Sequence, residues 1–389
     1  MTFESALSVG NDRAALLESL TSTLRPFPKR REVGMAFVSA PEGEEPGELF
    51  ADLAHAASCE SFIACTAEGV IGDGREVQRS PAVSLIRGDL GGGAAKPFAI
   101  DGAGWERLLQ DGRALPDAIG IDDAPKAFIV LADPFSTPVE HMLHLFERAF
   151  PGVPVVGGVA SGGTEPGANV LASGARLQRS GAVGLAIAGE VDVEVIVSQG
   201  CRPIGPLMRV TGAEQNVIAS LDGRPPLQAL KGVFESLDAD TREMARSGLL
   251  LGIAVEESGD DPGPGEFLVR NIMGADPGSG ALAITDHPQP GQRVRFHVRD
   301  ARTATDDLEL LLSPQAFSRP PDAALLFSCN GRGTRLYNRP DGDITVVRRA
   351  LGEDCPVGGF FCGGELGPIG ARNHIHGQTA SLLLLRTPR

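Results

Sequence analysis

Short apolar runs alternate with single amphipathic stretches along this chain, and the same order of elements recurs three times. The first unit predicts an apolar strand over 33–39, a helix over 48–57, a second strand over 61–64 entering the turn Cys65-Thr66-Ala67-Glu68-Gly69, a polar loop, and a third strand over 81–87. The second repeats this with 127–132, a helix over 138–150, a strand over 153–156 entering Gly157-Gly158-Val159-Ala160-Ser161, and a strand over 181–188. The third has strands over 323–328 and 358–361, a helix near 344–351, the turn Cys362-Gly363-Gly364-Glu365-Leu366-Gly367, and a last strand reaching 385. Gln78-Arg79-Ser80-Pro81-Ala82-Val83-Ser84-Leu85 returns as Gln178-Arg179-Ser180-Gly181-Ala182-Val183-Gly184-Leu185, six of eight positions identical, with a looser echo in Gly377-Gln378-Thr379-Ala380-Ser381-Leu382. A repeated string in the same place in each unit marks a duplicated architecture.

The second helix carries the most local signals: Thr137 as cap, Pro138 at the first position and Glu140 to complete a capping box. Val139, Met142, Leu143, Phe146 and Phe150 share one apolar face, and His141 and His144 fall off it, which marks them as solvated. A strand over 191–198 is expected to pair with its predecessor across Gly189-Glu190. After Leu221-Asp222-Gly223-Arg224-Pro225 a helical stretch begins, followed by strands over 248–255, 267–272, 281–285 and 293–298, compatible with a fourth, degenerate copy; 260–265 reads as a surface loop. The expected architecture is α/β, two pseudo-repeated halves with mixed β-sheets flanked by helices and a ligand cleft at the strand-end turns. The divisions are an N-terminal helical segment 1–30, one domain over 31–199 and another over 200–389.

Composition narrows the function. A net charge of -15, with no basic tract, repels phosphate backbones and anionic lipid, so neither nucleic acid nor membrane is expected as a partner. The start Met1-Thr2-Phe3-Glu4-Ser5 lacks a secretory pattern and the apolar runs are strand-length, so the expected location is cytoplasmic. Six cysteines without a CxxC pair read as reduced thiols. His374 and His376 share a strand face, but structural or solvated histidines outnumber metal ligands in that setting; no metal and no cofactor is expected.

Four strings then stand out in order: Cys201-Arg202-Pro203-Ile204-Gly205, Leu221-Asp222-Gly223-Arg224-Pro225, Cys329-Asn330-Gly331-Arg332-Gly333 and Gly359-Phe360-Phe361-Cys362-Gly363-Gly364-Glu365. Together with the turns at 65–69 and 157–161 they resemble the FIST domain family (F-box and intracellular signal transduction), in which an N-terminal half precedes a C-terminal half. The resemblance runs from about Arg31 onward; Cys362-Gly363 stands where Ser and an aromatic residue are expected. It implies an input domain of intracellular signal transduction that binds a small ligand such as an amino acid, with no established reaction.

The residues are compatible with that. A ligand bearing an ammonium and a carboxylate needs acidic groups, a guanidinium and closely approached amides. The expected cleft is lined by Thr66, Glu68, Ser161, Asn330, Arg332, Gly364 and Glu365, with no catalytic residue. The plainer reading is that the glycines only permit tight turns and the two glutamates cap backbone amides. Arg270 and Asn271 are weaker candidates, and Arg202 braces the domain junction. Gly157-Gly158-Val159-Ala160-Ser161-Gly162-Gly163 follows a strand, but no helix or Lys-Ser pair follows it, so a phosphate-binding loop is set aside. Two alternatives stay open: a cysteine-dependent enzyme using Cys65, Cys329 or Cys362 with His374 or His376 as base, and a protein-interaction scaffold. With no output domain attached, a signal is expected to pass to a separate signalling protein.

Overall fold

Strand β1 (Thr2–Val9) and helix α1 (Arg13–Thr23) precede the first repeat, which is β2 (Arg31–Ser39), α2 (Pro46–Ala57), β3 (Cys59–Thr66), a hairpin of β4 (Gly69–Gly72) and β5 (Arg75–Gln78), and β6 (Ala82–Asp89). The computed structural model describes residues 1–25, 30–121, 123–255, 259–263 and 265–388, so Pro264 of the expected loop and residues 26–29 of the N-terminal segment lie outside the described residues. Strand β7 (Gly92–Ile100) and helices α3 (Gly102–Gln110) and α4 (Leu115–Ile119) lead to the second repeat: β8 (Pro125–Ala132), α5 (Val139–Ala149), β9 (Val155–Val159), hairpin β10 (Leu171–Ser173) and β11 (Arg176–Gln178), and β12 (Ala182–Glu190). After β13 (Asp192–Gln199) come β14 (Cys201–Glu214), β15 (Val217–Leu221), α6 (Pro226–Ser236), α7 (Ala239–Gly248), β16 (Leu249–Ala254), β17 (Phe267–Ala275), β18 (Leu282–Ile284), β19 (Arg293–Arg299) and α8 (Ala301–Leu312). The third repeat is β20 (Ala323–Cys329), α9 (Thr334–Tyr337), α10 (Gly342–Leu351), β21 (Val357–Cys362), hairpin β22 (Glu365–Ile369) and β23 (Arg372–His376), and β24 (Thr379–Arg386).

Each repeat crosses over through its helix, so its first two strands run parallel, as β2 with β3, β8 with β9 and β20 with β21. The third strand returns antiparallel to the first, as β6, β12 and β24. These strands are covered on both faces, which is why they read as unbroken apolar runs rather than alternating ones. The hairpins behave differently: each leaves its own repeat and extends another repeat's sheet. β4 pairs with β21, β10 with β3, and β22 with β9, a cyclic exchange. Three six-stranded sheets result, ordered β1-β6-β2-β3-β10-β11, β23-β22-β9-β8-β12-β7 and β13-β24-β20-β21-β4-β5. Their shared core draws Phe37 from the first repeat, Ile129 and Val156 from the second, and Phe327 and Phe360 from the third. Phe37 stacks on Phe360 at 5.0 Å between ring centroids, with Phe327 edge-on to Phe37 at 6.2 Å.

By contact the described chain forms two compact units, Met1–Val197 with Leu308–Ile375 and Thr379–Arg389, and Ser198–Asp307 with His376–Gln378. The second contains a closed antiparallel barrel, β14-β15-β18-β17-β16-β19, filled by Val210, Ile218, Leu251, Ile284, Val294 and Phe296. This segment is therefore not a fourth copy: its strands pair only antiparallel, and α6 and α7 precede β16 instead of joining a parallel pair.

Two further expectations are corrected. Strand β13 lies beside β24, not beside β12, because both edges of β12 are taken by β7 and β8. Thr137 does not cap α5: the cap position falls to Pro138 without a side-chain bond, and the Thr137 hydroxyl donates instead to the Gly181 carbonyl at 2.7 Å. A carbonyl at the start of β12 outcompetes the helix end for that hydroxyl. His141 and His144 are exposed, as the helical pattern requires.

Candidate functional site

The turns that follow the parallel strands meet within the first unit. Ser161, after β9, accepts the Glu68 N–H at 2.9 Å and donates to the Phe361 carbonyl, tying the three repeats together through one hydroxyl. Backbone bonds complete the junction: Gly363 N–H to Val159 O at 2.9 Å, Val159 N–H to Gly364 O at 2.8 Å, and Asn330 N–H to Cys362 O at 2.9 Å. Gly158 is required there because an added Cβ would sit 2.3 Å from the Cys362 sulfur. Replacing Ser161 with alanine leaves two partners unmet in a half-buried place; a loss of about 1–2 kcal/mol in urea unfolding is expected, with the fold retained.

Of the seven residues singled out in the sequence, Glu68, Ser161 and Asn330 reach the surface of this junction, and Thr66, Arg332, Gly364 and Glu365 are buried beneath it. The Thr66 hydroxyl is engaged by Asn169 at 3.2 Å and by the Val170 N–H at 3.1 Å; Asn169 in turn donates to Asp133 at 3.2 Å. Glu68 is held by Arg335 of α9, which donates to both carboxylate oxygens and also to the Asn330 carbonyl at 2.6 Å. Arg335 was not visible as a site residue: it follows the glycine turn on a helix of only four residues, too short for any periodicity.

Arg332 is fully buried and forms a two-pronged ion pair with Asp343, Nε to Oδ2 at 2.9 Å and Nη2 to Oδ1 at 2.6 Å. Tyr337 accepts from Arg332 at 2.9 Å and donates to Asp343 at 2.7 Å, while Ser328 donates to Asp343 at 2.8 Å. Burial pushes the Asp343 carboxyl up, but the Arg332 charge and these bonds outweigh it and hold it below the usual range. Glu76, from the exchanged hairpin, accepts the Gly342 and Ile344 N–H groups at 3.1 and 2.8 Å and so caps α10, whose own cap residue Asp341 makes no such bond. Burial, with the neighbouring Asp343 and Asp341 charges, raises Glu76 to about 7.

Glu365 is the most unusual group. It is fully buried, and Thr379 donates to Oε2 from its hydroxyl at 2.8 Å and its N–H at 3.2 Å. Oε1 has no hydrogen-bond partner among the described residues. Burial lifts its pKa to about 8, opposed by the Thr379 bonds, by the nearby Arg332 charge and by a hydrogen bond from the Cys329 thiol. Cys65, next to the end of β3, and Cys362, at the end of β21, are fully buried, and burial drives both thiols well above their ordinary range, which keeps them protonated and poorly nucleophilic. In the second unit, Arg202 pairs with Asp300 at 3.0 Å and Arg270 with Asp286 at 2.6 Å, so each guanidinium braces the barrel locally.

Parallel crossover repeats with exchanged hairpins, an inserted barrel and glycine turns gathered around a buried acid define a two-domain α/β protein. The FIST N domain model matches residues 32–224 and the FIST C domain model residues 226–368, and the chain belongs to the FIST family. Domains of this family are associated with sensing in signal transduction. Among similar proteins, Rv0628c of Mycobacterium tuberculosis is 38% identical over 341 residues, covering 87% of this chain and 86% of its own length. Mb0898c of Mycobacterium bovis is 39% identical over 328 residues, covering 83% and 82%. Both are described as uncharacterized proteins.

Proposed function

We propose that the chain is a sensory input module that binds a small polar molecule, an amino acid or a close analogue, at the junction of the three repeat turns. The observation that carries this is Glu365, a buried carboxyl with one oxygen lacking a hydrogen-bond partner among the described residues, beneath a rim of exposed and half-buried groups. A buried acceptor left unmet costs stability, and a ligand ammonium is a group that would satisfy it. The Glu68–Arg335 pair at the rim supplies a carboxylate and a guanidinium in one place, and the exposed Arg335 takes the role expected of Arg332, whose guanidinium is fully buried against Asp343 and Tyr337. The buried thiols favour binding over cysteine-dependent catalysis.

In this reading the protein works in the cytoplasm and passes its signal to a separate signalling protein. No described helix is long and apolar enough to cross a membrane. The test is a thermal-shift screen with amino acids and their derivatives, since ligand at 100 times its Kd adds about 2.7 kcal/mol of stability. A dose-dependent shift that disappears in Glu365→Gln and in Arg335→Ala supports the reading; a shift that survives both, or no shift with any member, sinks it in favour of a scaffold.

A further inference from the structure

A cavity of about 580 Å³ opens beside α3, α4 and β11, remote in sequence from the turn junction and formed wholly within the first unit. Its volume lies in the range that small-molecule sites occupy. One wall is a stripe of α3, Gly104, Arg107 and Leu108 at helical spacing, continued by Asp111 just past the helix end. Ile100, Ala114 and Ala118 add an apolar floor, and Arg176 of β11 also lines the cavity.

Three carboxylates also line this space; two sit at helix starts and the third, Asp111, follows the end of α3. Asp101 caps α3 by accepting the Gly104 N–H at 2.7 Å, Asp111 accepts the Arg113 N–H at 3.3 Å, and Asp117 lies in the first turn of α4. Negative charge is compensated by the helix N-termini at Asp101 and Asp117. The cations are less well matched. Arg176 comes no nearer than 4.0 Å to Asp101, and Arg107 makes no ion pair or side-chain hydrogen bond among the described residues. Arg107 nonetheless folds back over its own helix: its Nη2 lies 3.8 Å from the point a Cβ on Gly104 would occupy. An apolar floor beside an exposed, unmatched guanidinium is complementary to one kind of molecule.

We propose that this cavity binds a small amphipathic carboxylate, its apolar body against Ile100, Leu108 and Ala118 and its carboxylate on Arg107, with Arg176 assisting. The site is independent of the turn junction and of the amino-acid reading given to it. Trp105, the single tryptophan of the chain, is buried on α3 next to Gly104 and offers a built-in reporter. The probes are octanoate and, as the charge-reversed control, octylamine, titrated into the full chain and followed by Trp105 emission and by calorimetry. Octanoate is expected to bind saturably, octylamine not to bind, Arg107→Ala to weaken octanoate about tenfold or more, and Ala118→Phe to abolish binding by filling the floor. Both substitutions are at exposed positions, so circular dichroism should show an unchanged fold. Equal binding of octylamine, undiminished binding by Arg107→Ala, or no calorimetric heat with octanoate overturns the proposal.

Discussion

Replacing Asp343 with alanine is expected to destabilise the chain by about 3–5 kcal/mol, seen as an early midpoint in urea or guanidinium unfolding. The reason is not the lost attraction alone. Arg332 and Asp343 are both fully buried, and removal of the carboxylate abandons a guanidinium where water cannot reach it, while Ser328 and Tyr337 lose their acceptor. An Asn at 343 keeps the shape and one oxygen, so it should recover part of the stability. A midpoint unchanged in Asp343→Ala would mean that Arg332 finds solvent, contrary to its burial.

The second large effect is one of pH. Glu365 has an ordinary unfolded pKa of about 4.3 and a folded one of about 8. The folded chain therefore holds this proton more tightly. Its stabilising contribution is complete below about pH 4 and is lost progressively as pH rises toward about 8. Glu76, raised to about 7, acts in the same direction, whereas Asp343, held low, acts only in strong acid. Stability measured by urea unfolding should thus fall between about pH 5 and pH 8. Glu365→Gln, which cannot ionise, should flatten that fall by an amount on the order of 4 kcal/mol. Parallel pH profiles for the two proteins would show that Glu365 does not titrate with folding.

Much of this architecture was legible because burial on both faces and one crossover helix leave a clear mark: the strands at 33–39, 127–132 and 323–328 each fall inside an observed strand. The exchange of hairpins left none. The segment after Cys65-Thr66-Ala67-Glu68-Gly69 reads as a polar loop, whereas it forms the β4–β5 hairpin, and only β21, far along the chain, decides which sheet that hairpin extends. At the candidate site the glycine turns and the two glutamates were visible, yet their partners were not. Asp343 reads as an acid in the first turn of a helix, and nothing local says that it has been buried against Arg332 or that Glu76 will cap that helix. The apolar runs put the cysteines in turns, whereas the strands continue one or two residues further, to Thr66, Cys329 and Cys362.

The traded hairpins also govern how the chain can be made. Gly72 and Gly358 are paired, with most of the chain between them, so the first repeat to emerge during synthesis has no sheet for its own hairpin and must wait for the last. Closing such distant pairings is entropically slow. The three repeats are accordingly poor candidates for separate expression: cut between the second and third, the chain would present β4 and β5 with no acceptor and β9 with an open edge, an invitation to pair with another copy. The interlock that unites the repeats in the finished molecule makes the unfinished one vulnerable.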